Sequence, residues 1–576
     1  MWIRKTLAGL TLTIGVGLLV STAATNAADG DAKADKKKAR LAKLLEAKKK
    51  TEVEKPPEPK DGGKAVVIAK TPPAAPAKPM ATADLARLID TGIDKTLQAA
   101  KIHPSSPTSD AEFLRRVSLD ITGVIPGVER ATAFLDDRSP DKRAKLIDEL
   151  LVAPEYGKHM ADIWATLMYP IDSDNRFVAK APMREWLAEK FNQNLHWDTM
   201  AYELMTATGD YDKNGAVGYA MANRGVDKMT DSVGKLFLGV QIQCAQCHNH
   251  PFTHWKQAEY WGLAQFFYKV NVSNPRAAKD GGTISVSEDG RVNRKINALP
   301  EAAKSTAPKY LGADQVKLNS ADPYRPALAQ WICTPQNPFF AKAFVNRLWS
   351  QYFGRGFVNP VDDLSEENVP THPELLAALS KEFGAGGFDV KQTIRGICNS
   401  QAYQRSSKPT GDNRDDKTMF SHQGIKVLTA EQLFDSLTSV IGAPAAGKKD
   451  GMKAPAPKGG PQGMRDQFAL FFMGSDNAKP TDYEAGIPQA LRLMNSPLMA
   501  SGRLLSAANR IAEVARPTTT PEKAVEKLYL GALSRRPTVD EQKKMKDLIA
   551  KQTDPRQAYA DVMWVLLNSS EFALNR

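Results

Sequence analysis

The stretch Leu85-Ala-Arg-Leu-Ile-Asp-Thr-Gly-Ile-Asp-Lys-Thr-Leu97 places its large apolar residues three or four positions apart. This spacing puts them on one face of an α-helix. The same pattern returns over residues 111–120, 141–151, 229–243 and 256–270, and again from about residue 326 to the C-terminus. The sequence shows no regular alternation of strands and helices. It therefore predicts a mostly α-helical protein with two helical domains, at 81–272 and 321–576.

The segment between these two domains, residues 273–320, has a different pattern. Its apolar and polar residues alternate around Asp289-Gly290, a dipeptide typical of hairpin turns. We expect a small inserted β-hairpin and loop that lies on the surface of the protein. A Gly-, Pro-, Ala- and Lys-rich stretch at 442–463 predicts a mobile loop inside the second domain.

The N-terminus reads as an export signal followed by a spacer. Residues 1–28 combine Arg4 and Lys5 with an apolar stretch from Leu7 to Val20 and small residues before position 29, which is typical of a secretory signal peptide. An N-terminal anchor that is kept after export is the alternative. We expect the mature protein in the periplasm or at the cell surface, with no transmembrane span after signal removal.

The net charge of +12 does not indicate nucleic-acid binding, because half of it belongs to one low-complexity segment. Residues 29–80 carry 13 Lys and one Arg against eight acidic residues, a net +6, among many Ala and Pro residues. Such a composition cannot bury a core and predicts a disordered spacer. We expect it to tether the folded domains at a surface, with binding to anionic polymers as the alternative.

One segment has the spacing of a chemical site, Cys244-Ala-Gln-Cys247-His248. Two cysteines three positions apart, with a histidine directly after, form the attachment pattern of c-type haem. Cys244 and Cys247 would form the thioether bonds, and His248 would be the axial ligand of the iron. Export supports this interpretation, since c-type haem is attached outside the cytoplasm.

Two other interpretations of the cysteine segment stay open. Cys244 and Cys247 could form a disulfide with structural histidines beside it. Alternatively, His248, His250 and His254 could bind a divalent metal. The two cysteines are too close to the histidines for a usual tetrahedral zinc site, so a metal would need a distant carboxylate as well.

Several other residues have simpler structural explanations. Cys333 and Cys398 follow apolar helical patterns and are expected to be free thiols, with a disulfide between them as the alternative. Five aromatic residues could wall a haem but are more typical of plain core: Trp255, Tyr260, Trp261, Phe266 and Phe267.

In the second domain, four acidic residues could serve as acid and base or hold Ca²⁺: Asp362, Asp363, Glu366 and Glu367. The favoured expectation is that Arg347 and Arg355 pair with them. Thr371 is expected to cap a helix, with Glu374 completing a capping box, rather than His372 acting in catalysis.

Longer motifs along the chain point to a family when taken in order. In the first domain they are Phe113-Leu-Arg-Arg-Val-Ser-Leu-Asp-Ile-Thr-Gly123, Ser139-Pro-Asp-Lys-Arg143 and Phe237-Leu-Gly-Val-Gln-Ile-Gln-Cys-Ala-Gln-Cys-His-Asn-His-Pro-Phe252. In the second they include Asn337-Pro-Phe-Phe-Ala-Lys-Ala-Phe-Val-Asn-Arg-Leu-Trp349, Tyr352-Phe-Gly-Arg-Gly356 and Leu428-Thr-Ala-Glu-Gln-Leu433. In this order they resemble an exported two-domain family found largely in planctomycete bacteria.

In the family that the chain resembles, a cytochrome-associated domain of unknown function (PSCyt type) precedes a companion domain of unknown function (PSD type). Many members have acidic residues where this chain has Asn249 and Thr253. The resemblance identifies a family of unknown function, and it is the cysteine motif with the predicted export that favours haem or metal binding with a role in electron transfer. A non-redox envelope binding or scaffold protein is the first alternative, and an enzyme acting on envelope polysaccharide is the second.

Overall fold

A computed structural model of the protein describes residues 79–169, 180–273, 283–288, 299–442, 460–472 and 509–576. All of these residues fall in one compact unit of the chain. The predicted signal, nearly all of the spacer, the Asp289-Gly290 turn and most of the predicted 442–463 loop lie outside them.

The described residues form 22 α-helices and only short strands, which confirms the prediction of a mostly helical protein. Those before the segment 273–320 are α1 (Thr82–Ala100), α2 (Asp110–Thr122), α3 (Val128–Asp136), α4 (Lys142–Val152), α5 (Pro154–Met168), α6 (Ala181–Asn192), α7 (Trp197–Thr206), α8 (Val217–Ala222), α9 (Val226–Val233) and α10 (Gln257–Ala264). A π-helical turn (Gly234–Leu238) and two 3₁₀ turns (Gln243–Gln246 and Gln265–Phe267) lie next to α9 and α10.

The remaining helices follow from residue 301 onward. They are α11 (Glu301–Ser305), α12 (Arg325–Ile332), α13 (Phe340–Phe353), α14 (Pro373–Ala385), α15 (Val390–Asn399), α16 (Ala430–Ile441), α17 (Gly460–Phe472), α18 (Asn509–Val514), α19 (Pro521–Leu533), α20 (Val539–Ile549), α21 (Pro555–Leu567) and α22 (Ser570–Ala573). No helix in the described part of the chain is long and apolar enough to cross a membrane.

Helix boundaries follow from local sequence signals. The side chain of Ser109 accepts a hydrogen bond from the Glu112 amide and so caps α2, which ends at Gly123 with φ +72°. The helix predicted over 229–243 is shorter than expected. It ends at Gly239, because that residue has φ +66° and a Cβ there would lie 2.7 Å from Leu364 Cδ1.

The described residues of the segment 273–320 include core residues such as Ile284, Val286 and Leu311, so the expectation that this segment lies on the surface was wrong. β1 (Gly209–Asp210), β2 (Asn271–Val272) and β3 (Ser285–Ser287) form an antiparallel sheet with β3 in the middle. Val286 is paired on both sides, with Gly209 and Val272, and is buried. One of the two partners, β1, lies more than 70 positions upstream of β3, so local alternation does not reveal this pairing.

A second small sheet joins distant parts of the chain. β4 (Lys426–Val427) and β5 (Leu574–Asn575) pair antiparallel, with Lys426 opposite Asn575.

The main core unites the two predicted domains. Trp164 of α5 stacks on Phe344 of α13 at 5.6 Å between ring centroids, and Trp197 of α7 lies 4.8 Å from the same ring. Phe344 also stacks on Phe383 of α14 at 4.9 Å. A second core gathers the helices from α16 onward against Leu119 and Ile125. Residues of 81–272 thus pack against residues of 321–576 in both cores.

Candidate functional site

The cysteine segment lies on a short turn that buried neighbours hold in place. Ile242 and Ala245 are buried, while Cys244 and Cys247 are both exposed free thiols. The turn closes through the Ala245 amide, which donates to the Ile242 carbonyl at 2.9 Å. Ile242 and Ala245 face the core, and the two cysteines on the same turn face solvent.

The start of α10 fixes the turn from behind. The Trp261 indole N–H and the Gln257 side-chain amide each donate to the Gln246 carbonyl at 3.1 Å. Gln257 also donates to the Cys247 carbonyl at 3.0 Å, and its backbone amide donates to the Asn249 side chain. The hydrogen bonds that hold the turn thus use backbone carbonyls and the Asn249 side chain, and none of them uses a thiol.

His248 is exposed beside the thiols and has one ring nitrogen engaged. Its Nδ1 lies 2.7 Å from its neighbour's carbonyl oxygen, that of Asn249. A carbonyl can only accept, so Nδ1 carries the proton in the neutral ring and Nε2 keeps its lone pair. His248 therefore presents the atom that a metal or haem iron would bind.

His250 and His254 have other contacts. Nδ1 of His250 accepts hydrogen bonds from the Phe252 and Thr253 amides, at 3.2 and 3.1 Å, and so closes its own loop. His254 stacks near Trp255, and its Nδ1 lies 3.8 Å from Glu366 Oε2. In the part of the chain described, no three His, Cys, Asp or Glu side chains are arranged to hold a metal ion.

The five aromatic residues near the motif belong to the core. Trp255 is 5% exposed, and Tyr260, Trp261, Phe266 and Phe267 are 2% exposed or less. The sequence-based preference for core over haem pocket is thus confirmed, because these rings are already packed against protein. Burial also raises the pKa of Tyr260, and the nearby Asp231 carboxylate adds to this shift.

Asp231 of α9 is a neighbour of the site that the sequence did not single out. Its carboxylate accepts from Gln243 at 3.0 Å and from Tyr260 at 3.3 Å. Burial raises its pKa above the usual aspartate range. The residue lies 13 positions before Cys244 in sequence with no motif around it, so only the fold could place it behind the turn.

The acidic cluster of the second half comes next to the cysteine segment. Asp362 accepts from Gln241 at 2.9 Å, and the Leu364 amide donates to the Gly239 carbonyl at 2.8 Å. The expected ion pairs of these acids with Arg347 and Arg355 are not found among the described residues. Arg347 instead donates to the Lys235 carbonyl at 3.1 Å. The acidic cluster therefore lies beside the cysteine segment. Its contacts do not form the converging carboxylate pair that acid–base catalysis would need.

His372 is part of a helix end. It occupies the N-cap position of α14 and its side chain makes no capping bond, so the predicted cap at Thr371 and the capping box with Glu374 were wrong. Pro373 takes the first helical position, which its fixed φ favours, and this sets the start one residue later. Glu374 pairs with Lys95 instead, at 2.5 Å.

Comparison with protein families matches two regions of the chain, in the order that the motifs predicted. The family model PSCyt2, described as a protein of unknown function (DUF1549), matches residues 88–272. The family model PSD1, described as a protein of unknown function (DUF1553), matches residues 324–468. No curated protein and no solved structure matches the chain.

Proposed function

We propose that this protein, in which a PSCyt2 domain precedes a PSD1 domain, is an exported electron-transfer protein that carries c-type haem at Cys244, Cys247 and His248. The observation that supports this proposal most is the joint exposure of all three groups on one turn. Thioether formation needs accessible thiols, and both are free.

The donor set fits the attachment chemistry of haem c. Nε2 of His248 keeps its lone pair because Nδ1 is bonded to the Asn249 carbonyl. The bonds from Gln257 and Trp261 to the turn carbonyls keep the spacing of the thiols fixed. When bound, haem supplies one-electron oxidation and reduction, and the protein supplies orientation and exposure.

The surroundings of the turn favour a haem on the protein surface rather than in a walled pocket. The nearby aromatic rings pack in the core, so they are not free to cover a haem. Exposure of the group to a redox partner follows directly from this placement. We expect the partner to be another exported protein, since the signal-like composition of residues 1–28 favours export of this chain.

A second candidate is a non-redox envelope protein in which Cys244 and Cys247 form a disulfide. It is favoured by the Cys247 amide, 3.4 Å from the Cys244 carbonyl, which places both thiols on a single turn.

A metal site at His248, His250 and His254 is the third candidate. For this site, His250 would have to bind the metal through Nε2. Otherwise its Nδ1 would have to lose the two hydrogen bonds that it accepts from backbone amides.

The test is intact mass and visible absorption of full-length protein, exported in a host with haem-maturation machinery. We expect the added mass of haem and a Soret band that survives acid-acetone extraction. The double variant Cys244→Ala and Cys247→Ala should lose both signals, and the control Cys333→Ala should keep them. A colourless wild-type protein would overturn the proposal. A loss of two hydrogens that reductant reverses would then identify the disulfide.

A further inference from the structure

The carboxylate of Asp231 is hydrogen-bonded to both elements that hold the cysteine turn. Gln243, the residue directly before Cys244, donates to Asp231 Oδ2 at 3.0 Å. The hydroxyl of Tyr260, on α10, donates to Asp231 Oδ1 at 3.3 Å. α10 is also the helix that fixes the end of the turn through Trp261. The carboxylate therefore lies one side chain away from the turn that carries the two thiols.

The second cysteine lies close to the same pair of side chains. Burial raises the pKa of Tyr260, and Asp231, Asp227 and Cys247 add to this shift. Electrostatic effects between side chains weaken with distance, so Cys247 is near the bond between Tyr260 and Asp231. The carboxylate of Asp231 is thus close to both ends of the turn.

Asp231 has no counter-charge in direct contact. Among the residues that the structure describes, none forms an ion pair with it, and its two hydrogen bonds come from neutral groups. Burial is the largest effect on its carboxyl group and raises its pKa. The two hydrogen bonds and Lys235 of the π-helical turn oppose this shift, and Asp227 adds to it. Because Asp231 is partly buried, less water screens its charge than screens an exposed carboxylate.

Two other carboxylates around the turn differ from Asp231 in this respect. Glu259 of α10 pairs with Lys309 at 3.3 Å. The side chain of Glu366, which faces His254, is 84% exposed, so solvent and salt screen its charge. Of these three carboxylates, that of Asp231 is the one that is both partly buried and unpaired.

We propose that the Asp231 carboxylate lowers the midpoint potential of the haem bound at the cysteine turn. This inference rests on the proposed function, because it needs c-type haem at Cys244, Cys247 and His248. When the haem iron gives one electron to a redox partner, the charge of the haem rises by one. A nearby carboxylate stabilises this more positive, oxidised state, and a lower midpoint potential follows.

The variant Asp231→Asn removes the charge while keeping the hydrogen bonds. Its amide oxygen can accept from Gln243, and its amide nitrogen can donate to the Tyr260 oxygen. The Tyr260 hydroxyl then donates to the Asp227 carbonyl, which already lies 3.4 Å away. The variant thus loses the negative charge with little change in packing.

The experiment is a redox titration at pH 8 of the full-length protein, exported in a host with haem-maturation machinery. Dithionite is the reductant, ferricyanide is the oxidant, and visible absorption reports the oxidised fraction. We expect Asp231→Asn to keep the haem mass and the Soret band, and to have a higher midpoint potential than the wild type. Asp231→Ser removes the same charge with a smaller side chain and should shift the potential in the same direction.

Two controls separate the charge from the structure of the turn. Tyr260→Phe removes a hydrogen bond but leaves the Asp231 carboxylate, so it should not raise the potential. Asp540→Asn neutralises an exposed carboxylate of α20 and should leave the potential unchanged.

The outcomes distinguish this inference from the proposed function. A colourless wild-type protein of unmodified mass would overturn both together. Haem-loaded protein with the same midpoint potential in the wild type and in both Asp231 variants would overturn this inference alone. An equal rise in Tyr260→Phe would do so as well, because it would trace the shift to the geometry of the turn.

Discussion

Two imidazoles far from the cysteine turn are buried and kept neutral. Burial lowers the pKa of His159 to about 4, against a smaller opposing effect of the Asp162 carboxylate. Burial likewise lowers the pKa of His372 to about 4, opposed by Asp416. His159 packs over Gly123, where a Cβ would lie 2.5 Å from its Nδ1. Both rings therefore act as core side chains.

These histidines predict a loss of stability in mild acid. The unfolded chain takes up a proton near the ordinary histidine pKa of about 6.5, whereas the folded chain resists until about 4. The unfolded state then binds more protons, so stability is intact above pH 6.5 and falls as the pH drops toward 4. We expect up to about 1.4 kcal/mol per pH unit for each histidine.

Urea unfolding between pH 7 and 4 measures this effect. His159→Gln should reduce the slope of the unfolding free energy against pH, even if it lowers stability at pH 7. The control His196→Gln changes a partly exposed residue and should leave the slope as it is. An unchanged slope in His159→Gln would show that this ring is not the source of the acid sensitivity.

At the residue scale, the sequence predicted which side chains are buried better than it predicted the contacts that they make. The thiols of Cys333 and Cys398 are free, and the aromatic residues after the motif are core, as their apolar helical spacing indicated. The contact of His254 with Glu366 could not be predicted, because it joins residues over 100 positions apart. Local sequence patterns predict whether a side chain is buried, but its contacts with distant residues depend on the fold.

At the scale of elements, the short strand β3 shows why an alternating pattern was not enough. Its residues alternate as predicted, but its partners are β1 and β2, which come earlier in the chain. Just after β3, Glu288 is buried against Arg325, with their closest side-chain atoms 2.7 Å apart. Arg325 also donates to the Met205 and Ala207 carbonyls. The strand thus locks α12 to the end of α7.

Removing the Glu288 carboxylate is expected to be costly. Glu288→Ala leaves the guanidinium of Arg325 buried without its counter-charge, which typically costs about 3–5 kcal/mol. The control Glu301→Ala removes an exposed carboxylate and should change stability by less than about 0.5 kcal/mol. The midpoint of urea unfolding measures both.

The same contacts predict the effect of deleting residues 278–294. This deletion would be harmless if the segment were a surface insertion, but we expect it to reduce the yield of soluble protein. An unchanged midpoint in Glu288→Ala would contradict the structural role of the segment.

At the scale of the whole molecule, the chain closes on itself through two arginines of α2. Arg115 donates to the Leu574, Ala532 and Phe572 carbonyls, and Arg116 donates to those of Arg576, Tyr403 and Arg405. Both side chains are buried, and Glu112 supplies a counter-charge to Arg116. The motif Phe113-Leu-Arg-Arg that helped to suggest the family thus connects α2 to the C-terminal residues of the chain.

This closure, together with the shared aromatic core, predicts that the regions matched by PSCyt2 and PSD1 unfold together. Phe344 stacks on Trp164 of α5 and on Phe383 of α14, so separating the regions would expose large apolar surfaces on both. We expect calorimetry of the full-length protein to show one main transition, with calorimetric and van't Hoff enthalpies that agree. Fragments 79–320 and 321–576, made separately, should not fold.

A single substitution makes this prediction sharper. Phe344→Ala should cost about 3–5 kcal/mol, the usual loss for a buried phenylalanine, and should lower the whole transition without splitting it. Val539→Ala, at an 87% exposed position, is the control and should leave the transition in place. Two transitions, of which Phe344→Ala moves only one, would mean that the regions are independent. A single transition that moves as a whole would mean that a cofactor bound at the cysteine turn stabilises the entire cooperative unit.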